Sequence, residues 1–141
     1  MAEPDGVEGE MPFVNVKVAG PIAAAQIEDL QAGITALMAD VLRKKADLTA
    51  VLIERVETAS WTVGAAPVTV AAHLDAKVTS GTNTTQEKAH FVTAAHALLG
   101  AVLGRELPTA TYVVIDEVPG DAWGYAGQTQ AYRAGLRAAA A

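Results

Sequence analysis

Apolar and polar residues alternate towards the end of the stretch from Phe13 to Val18, a pattern typical of a half-buried strand. Beyond the break at Gly20-Pro21, apolar residues recur at steps of three and four, which predicts a helix over roughly residues 23–44. The apolar stripe consists of Ile27, Leu30, Ile34, Leu37, Met38, Val41 and Leu42. Residues 50–56 are rich in aliphatic side chains and predict a second strand, so the first half is predicted to be a β-α-β unit.

The same order of elements recurs in the second half of the chain. Residues 68–74 predict a third strand, a polar, glycine-containing loop follows over 79–85, and residues 111–118 predict a fourth strand. The helical stripe between them consists of Phe91, Ala95, Leu98 and Val102. Thr84 and Glu87 stand three residues apart, which is the spacing of a capping box and marks the start of this helix.

The two halves share a register that can be counted. Val56 precedes Trp61 by five residues, and Val118 precedes Trp123 by the same number. A proline opens each half: Pro12 and Pro67. Pro67 is internal and has no free amine, so we interpret it as a relic of duplication or a linker residue.

We therefore predict one compact domain of the α+β class, a two-layer α/β arrangement. Two tandem β-α-β units form a four-stranded mixed sheet with two helices on one face, and strands joined by a helix run parallel. The predicted segments are a flexible leader over 1–11, a first unit over 12–65, a second unit over 66–130 and a C-terminal tail over 131–141. The other face of the sheet stays bare, which predicts an oligomer that covers it.

Composition and charge narrow the function classes. The 141 residues include no cysteine, which excludes disulfides, cysteine zinc sites and thiol catalysis. The net charge of −6, without a basic stripe, argues against nucleic-acid binding. The one basic cluster, residues 43–45, is interpreted as complementing the dipole at the end of the first helix. The three histidines lack the spacing of metal ligands, so no metal is predicted: His73, His90 and His96.

No apolar run reaches the length of a membrane span, and the first ten residues have no basic and apolar regions of a signal peptide. The sequence therefore predicts a cytoplasmic protein without a membrane partner.

Two stretches carry a family pattern. Residues 11–16 read Met-Pro-Phe-Val-Asn-Val, and residues 113–127 run through Glu-Val-Pro-Gly to Trp-Gly-Tyr-Ala-Gly. They resemble the start and the second strand with its following loop in the tautomerase superfamily, and the resemblance covers residues 11–130. Two units in one chain resemble the fused 4-oxalocrotonate tautomerase-like members. The resemblance implies a homotrimer, an active site near a subunit boundary and no cofactor.

The resemblance also implies that Pro12 is the catalytic base and that Trp123 is an apolar wall of the site. A free α-amine has an ordinary pKa near about 8, and an apolar pocket lowers it. A neutral amine at Pro12 then moves a proton between carbon and oxygen of its substrate. The implied activity is tautomerisation or isomerisation of a small unsaturated 2-oxo or enol acid.

This chemistry requires Pro12 to be the first residue. With residues 1–11 attached, its nitrogen is an amide and has no basicity. Two possibilities stay open: Met11 is the true initiator and is removed, or the leader stays and Pro12 is an inert proline at the start of a strand.

The arginines that bind substrate in the family are missing here. Their places are taken by Ile22, Ala50, Tyr112 and the run Asp75-Ala76-Lys77. We predict that Lys77, Tyr112 and Asn15 contact the substrate instead, against the alternative that they are ordinary strand residues.

Two other functions stay open alongside the tautomerase. One is a tautomerase-fold dehalogenase or decarboxylase, which the missing arginine pair disfavours. The other is a non-catalytic tautomerase-like binding protein, which the embedded Pro12 and the missing arginines favour.

Overall fold

A computed structural model describes residues 10–104 and 107–140. The two repeated units contain β1 (Phe13–Ala19), α1 (Ala24–Asp40) and β2 (Ala50–Val56), then β5 (Ala71–Thr79), α2 (Thr85–Leu103) and β6 (Val113–Val118). Two small hairpins follow the units: β3 (Thr62–Val63) with β4 (Ala66–Pro67), and β7 (Gly124–Tyr125) with β8 (Gln128–Thr129). A last helix, α3, covers Gln130–Ala140. All of the predicted leader except Glu10 and Met11 lies outside the described residues.

The main sheet has the strand order β2-β1-β5-β6. Within each unit the two strands are parallel, and the central strands β1 and β5 are antiparallel. The predicted fold class, a four-stranded mixed sheet built from two β-α-β units with their helices on one face, is confirmed. The antiparallel centre brings the start of β1 beside the end of β5, and this proximity builds the site described below.

The core lies between the sheet and the two long helices. Its fully buried side chains alternate along the central strands and recur every four residues along the helices: Val14, Val16, Val18, Leu74, Ala76, Val78, Leu30, Ile34, Met38, Phe91, Ala95 and Leu99. Burial of each large aliphatic or aromatic side chain stabilises the fold by about 1.5–3 kcal/mol. Gly33 permits close packing of the helices, because a Cβ there would lie 2.8 Å from the Leu98 side chain.

The helix ends are fixed by local signals. The Thr84 hydroxyl accepts from the Glu87 N–H at 3.1 Å, and the Glu87 carboxylate accepts from the Thr84 N–H at 2.9 Å, so the predicted capping box is confirmed. At the other helix, the prediction of residues 23–44 is too long. The chain turns after Asp40 because Arg43 takes a left-handed backbone conformation with φ 60°.

The third strand is displaced from its predicted position. It covers Ala71–Thr79 rather than residues 68–74. The strand therefore reaches the first residue of the loop predicted over 79–85. The strand continues because Leu74, Ala76 and Val78 all face the helices, while Asp75 and Lys77 face the other side of the sheet. The polar residues on the exposed face interrupt the apolar run, so the sequence does not indicate that the strand continues past Leu74.

Strand register shows which positions correspond in the two units. The equivalent end pairs are Ala19 with Val56 and Thr79 with Val118. Counting back seven residues along each strand places Ala72 where Pro12 stands in the first unit. Pro67 lies in β4 opposite Thr62, between the two units, so of the two interpretations the structure fits the linker residue.

None of the helices among residues 10–104 and 107–140 combines the length and apolarity that a membrane span requires.

Candidate active site

Pro12 lies immediately before β1, in the interior of the molecule. Its side chain is buried, and its carbonyl oxygen accepts a hydrogen bond from the Ala50 N–H at 3.2 Å. This bond continues the pairing between β1 and β2 and holds the proline in place. Because Pro12 continues the even-numbered positions of β1, it lies on the helix side of the sheet.

A buried ion pair is formed by Glu10, two residues before Pro12 in the chain, and Lys44. Lys44 Nζ donates to Glu10 Oε2 at 3.2 Å, and the two side chains are 0% and 2% exposed. The backbone N–H of Thr79, at the end of β5, donates to the other carboxylate oxygen at 3.3 Å. Lys44 also donates to the Thr82 hydroxyl at 2.8 Å. The carboxylate of Glu10 is thus held by a cation and a backbone amide in the protein interior.

A second set of contacts approaches the nitrogen of Pro12. Gln130 Nε2 donates to the carbonyl oxygen of Met11 at 3.2 Å, and only two covalent bonds separate that oxygen from Pro12 N. Trp123 Nε1 donates to the Thr79 hydroxyl at 3.2 Å, and the Trp123 carbonyl accepts from the Gln130 N–H at 2.9 Å. The loop after β6 therefore brings Trp123 and Gln130 to the same end of the sheet as Pro12.

Burial dominates the electrostatics of Lys44. Its pKa is lowered from the ordinary value of 10.5 because burial disfavours the charged form, and the nearby Glu10 carboxylate, which raises the pKa, offsets this effect only in part. The sequence pattern indicates Lys44 only as a helix-end cation and gives no signal for Gln130 or Thr79. The separation of 34 residues between Glu10 and Lys44 follows no helical or strand period, so no local pattern indicates the contact.

Three other predicted contact residues lie away from this cluster. Asn15 and Lys77 are on the sheet face opposite the helices, where Asn15 Nδ2 donates to Glu54 at 2.8 Å and Lys77 pairs with Asp116 at 2.6 Å. Tyr112 precedes β6, is 62% exposed, and has its ring centroid 6.2 Å from that of His73. Of the predicted site residues, only Pro12 and Trp123 lie at the same end of the sheet within a single chain.

An ion pair supports the loop that carries Lys44. Arg43 donates to Glu87 at 2.6 Å and to the Thr82 carbonyl at 3.1 Å, so the turn after α1 is fastened to the start of α2. The Arg43 guanidinium first, and the Thr84 N–H second, lower the pKa of Glu87 from 4.5 to about 2. This arrangement positions Lys44 from two elements at once.

The corresponding place in the second unit has different chemistry. An open cleft of about 430 Å³ beside Trp61 is lined by Lys17, Val56, Ser60 and His73. His73 Nε2 lies 2.9 Å from Asp75 Oδ2. Ala72 replaces the proline here and is buried inside a strand, so no terminal amine can arise at this place.

Comparison with known proteins fits this geometry. The family model described as "Tautomerase enzyme" matches residues 73–131. The probable tautomerase K2 of Dickeya dadantii (strain 3937) is 42% identical over 60 residues, which make up 42% of this chain and 90% of that protein. The chain belongs to the tautomerase family. Because 60 residues make up nine-tenths of that relative, the relative has the size of one β-α-β unit. This tautomerase contains two such units.

Solved structures agree in fold over most of the duplicated chain. The fused 4-OT protein F6, solved as a wild-type asymmetric trimer, matches with a TM-score of 0.77 at 20% identity, covering 86% of this chain and 98% of that one. Native fused 4-OT matches with a TM-score of 0.75 at 22% identity, covering 85% and 97%. The duplicated architecture is therefore that of fused 4-OT proteins.

Proposed function

We propose that this tautomerase family member is an isomerase that moves a proton within a small unsaturated 2-oxo or enol acid, with Pro12 as the base after removal of residues 1–11. The observation that supports it most is the buried position of Pro12 at the end of the sheet where Lys44 and Gln130 bind the two preceding residues, Glu10 and Met11. Removal requires hydrolysis of the Met11–Pro12 bond, or initiation at Met11 followed by loss of that methionine. Either route leaves a secondary amine at Pro12.

The physical argument is the balance of charge and solvent at this amine. Burial among apolar groups lowers the pKa of a free amine, so that its neutral form takes a proton from the substrate and returns it at another atom. The half-buried indole of Trp123 limits water at the same end of the sheet. The reaction requires no cofactor, and a cytoplasmic homotrimer acting on a small-molecule carboxylate completes the proposal. Asn15, Lys77 and Tyr112 remain proposed contacts, which in a trimer would meet a neighbouring subunit.

A second candidate is a non-catalytic tautomerase-like protein that retains its leader. The buried contact of Glu10 with Lys44 supports it, because this contact fastens the leader directly before Met11. In that case the nitrogen of Pro12 stays an amide and accepts no proton.

Intact-mass analysis of the protein from its native cells separates the two candidates. We expect the mass of a chain that begins at Pro12, and an intact leader would refute a proline base. The processed protein should then convert phenylenolpyruvate to its keto form in a spectrophotometric assay. Pro12→Ala in the processed protein should lower kcat/KM by about 10²-fold or more, the contribution of a positioned acid–base group. Undiminished turnover by this variant would exclude Pro12 as the base.

A further inference from the structure

Two of the residues that the proposed function removes, Glu10 and Met11, accept hydrogen bonds from the body of the protein. The Glu10 carboxylate accepts from Lys44 Nζ and from the Thr79 N–H, and the Met11 carbonyl accepts from Gln130 Nε2. These donors come from the loop after α1, from the end of β5 and from the start of α3. Together they form a pocket of donors around two oxygen-bearing groups.

Such a buried cation requires an anion. An unpaired charge in a protein interior is strongly disfavoured, and removing one partner of a buried pair is costly. Glu10 meets this requirement for Lys44 in the full chain. Once Glu10 leaves with the leader, another carboxylate has to take its place, or buried Lys44 keeps only the neutral Thr82 hydroxyl as a partner.

Gln130 provides an independent observation. Its side chain is 2% exposed, and within the described residues its Oε1 finds no hydrogen-bond partner. Buried amide oxygens nearly always accept a hydrogen bond, so this oxygen is available to accept one from a bound ligand. Its Nε2 is also released when Met11 is removed, which leaves an entire buried amide beside the Pro12 nitrogen.

We propose that Glu10 occupies the substrate-carboxylate site, formed by Lys44 and the Thr79 N–H, and that Gln130 receives a further oxygen or hydroxyl of the same substrate. This inference rests on the proposed function and names the cation that replaces the missing arginines. Residues 10–11 then act as an internal blocking segment. Hydrolysis of the Met11–Pro12 bond vacates the carboxylate site and frees the amine of Pro12 in one event.

The test uses the full chain with Glu10→Ala, which empties the site without cleavage, and acetate as the probe carboxylate. Acetate should raise the melting temperature of this variant in a saturable manner and shift the backbone amide resonance of Thr79, whereas the wild-type chain should not respond. Chloride at equal ionic strength controls for screening. A response of the wild-type chain equal to that of the variant would overturn the proposal, as would no response of the variant.

The cation is tested by two matched second substitutions in the Glu10→Ala chain. Lys44→Met should abolish the acetate response, while Lys88→Met, which removes a lysine from a partly exposed pair with Glu117, should preserve it. An acetate response that survives Lys44→Met would overturn the assignment. If Glu10→Ala fails to fold, the chain that begins at Pro12, which lacks Glu10 altogether, is tested against acetate in the same way.

Kinetics of the processed protein distinguish this inference from the proposed function. Lys44→Met should raise KM for phenylenolpyruvate by about tenfold to a hundredfold, the value of a hydrogen bond to a charged group. Turnover with an unchanged KM would refute the carboxylate site and leave Pro12 as the base. Acetate binding that depends on Lys44, without turnover by the processed protein, would refute the proline mechanism and leave the site standing.

Discussion

At the scale of single residues, the Glu10–Lys44 pair should be strongly coupled in the full chain. Lys44→Met leaves the Glu10 carboxylate buried without its cation and should lower the free energy of unfolding by about 3–5 kcal/mol. Glu10→Gln should also destabilise, and the double variant should lose less than the sum of the two. Urea unfolding of all four chains measures the coupling. Strictly additive losses would mean that the two charges do not interact.

In the processed protein, which begins at Pro12, Lys44→Met should stabilise the fold rather than destabilise it. Without Glu10, Lys44 is a buried cation with no carboxylate, so Lys44→Met should raise the melting temperature. The burial that lowers the pKa of Lys44 already acts against its charged form in the full chain. Differential scanning calorimetry of both forms checks this reversal, and destabilisation in both would show that a different group pairs with Lys44.

At the scale of elements, the capping box should determine the stability of the start of α2. Thr84→Ala removes the side-chain acceptor of the Glu87 N–H and should cost about 1 kcal/mol. Thr93→Ala, at an exposed position within the same helix, is the matched control and should be neutral or slightly stabilising, because alanine favours helices. Equal losses from both substitutions in denaturant titrations would contradict a specific capping role.

The stabilisation from the Arg43–Glu87 ion pair, which joins the turn after α1 to the start of α2, should depend on pH. Because the pKa of Glu87 is about 2 in the folded chain against an ordinary 4.5, the folded state favours the charged carboxylate more than the unfolded chain does. This stabilisation is complete above about pH 5 and is lost as the pH falls towards about 2. Unfolding free energies measured between pH 6 and pH 3 should fall less steeply in Glu87→Gln than in wild type. Parallel slopes would exclude Glu87 as a source of acid sensitivity.

At the scale of the whole molecule, the sheet face opposite the helices should form the oligomer interface. It combines charged pairs with exposed apolar side chains, including Leu52 at 46% exposure. We expect sedimentation velocity to give three times the mass of one chain, and Leu52→Glu should shift the protein towards monomer. Val92→Glu, on the exposed side of α2, is the control and should leave assembly unchanged. A wild-type monomer would contradict the proposed trimer.

The duplicated fold could be predicted from the sequence because its signals are local. The periods of three to four in α1 and of two in β1, the capping residues and the equal spacing of Val56–Trp61 and Val118–Trp123 act within short windows. The boundaries were less predictable. The third strand is displaced because its open face is polar, and the hairpin strands of two residues each are too short to show a period.

The site divides in the same way. Pro12 and Trp123 lie in the two family-like stretches, residues 11–16 and 113–127, so the sequence indicates both as site residues. Lys44, Thr79 and Gln130 reach Glu10 and Met11 across 34, 69 and 119 residues, and the antiparallel pairing of the two units at the centre of the sheet brings them together. Short-range periodicity determined which elements form, whereas the charge balance around Pro12 followed only from packing, because contacts between distant segments leave no period in the chain.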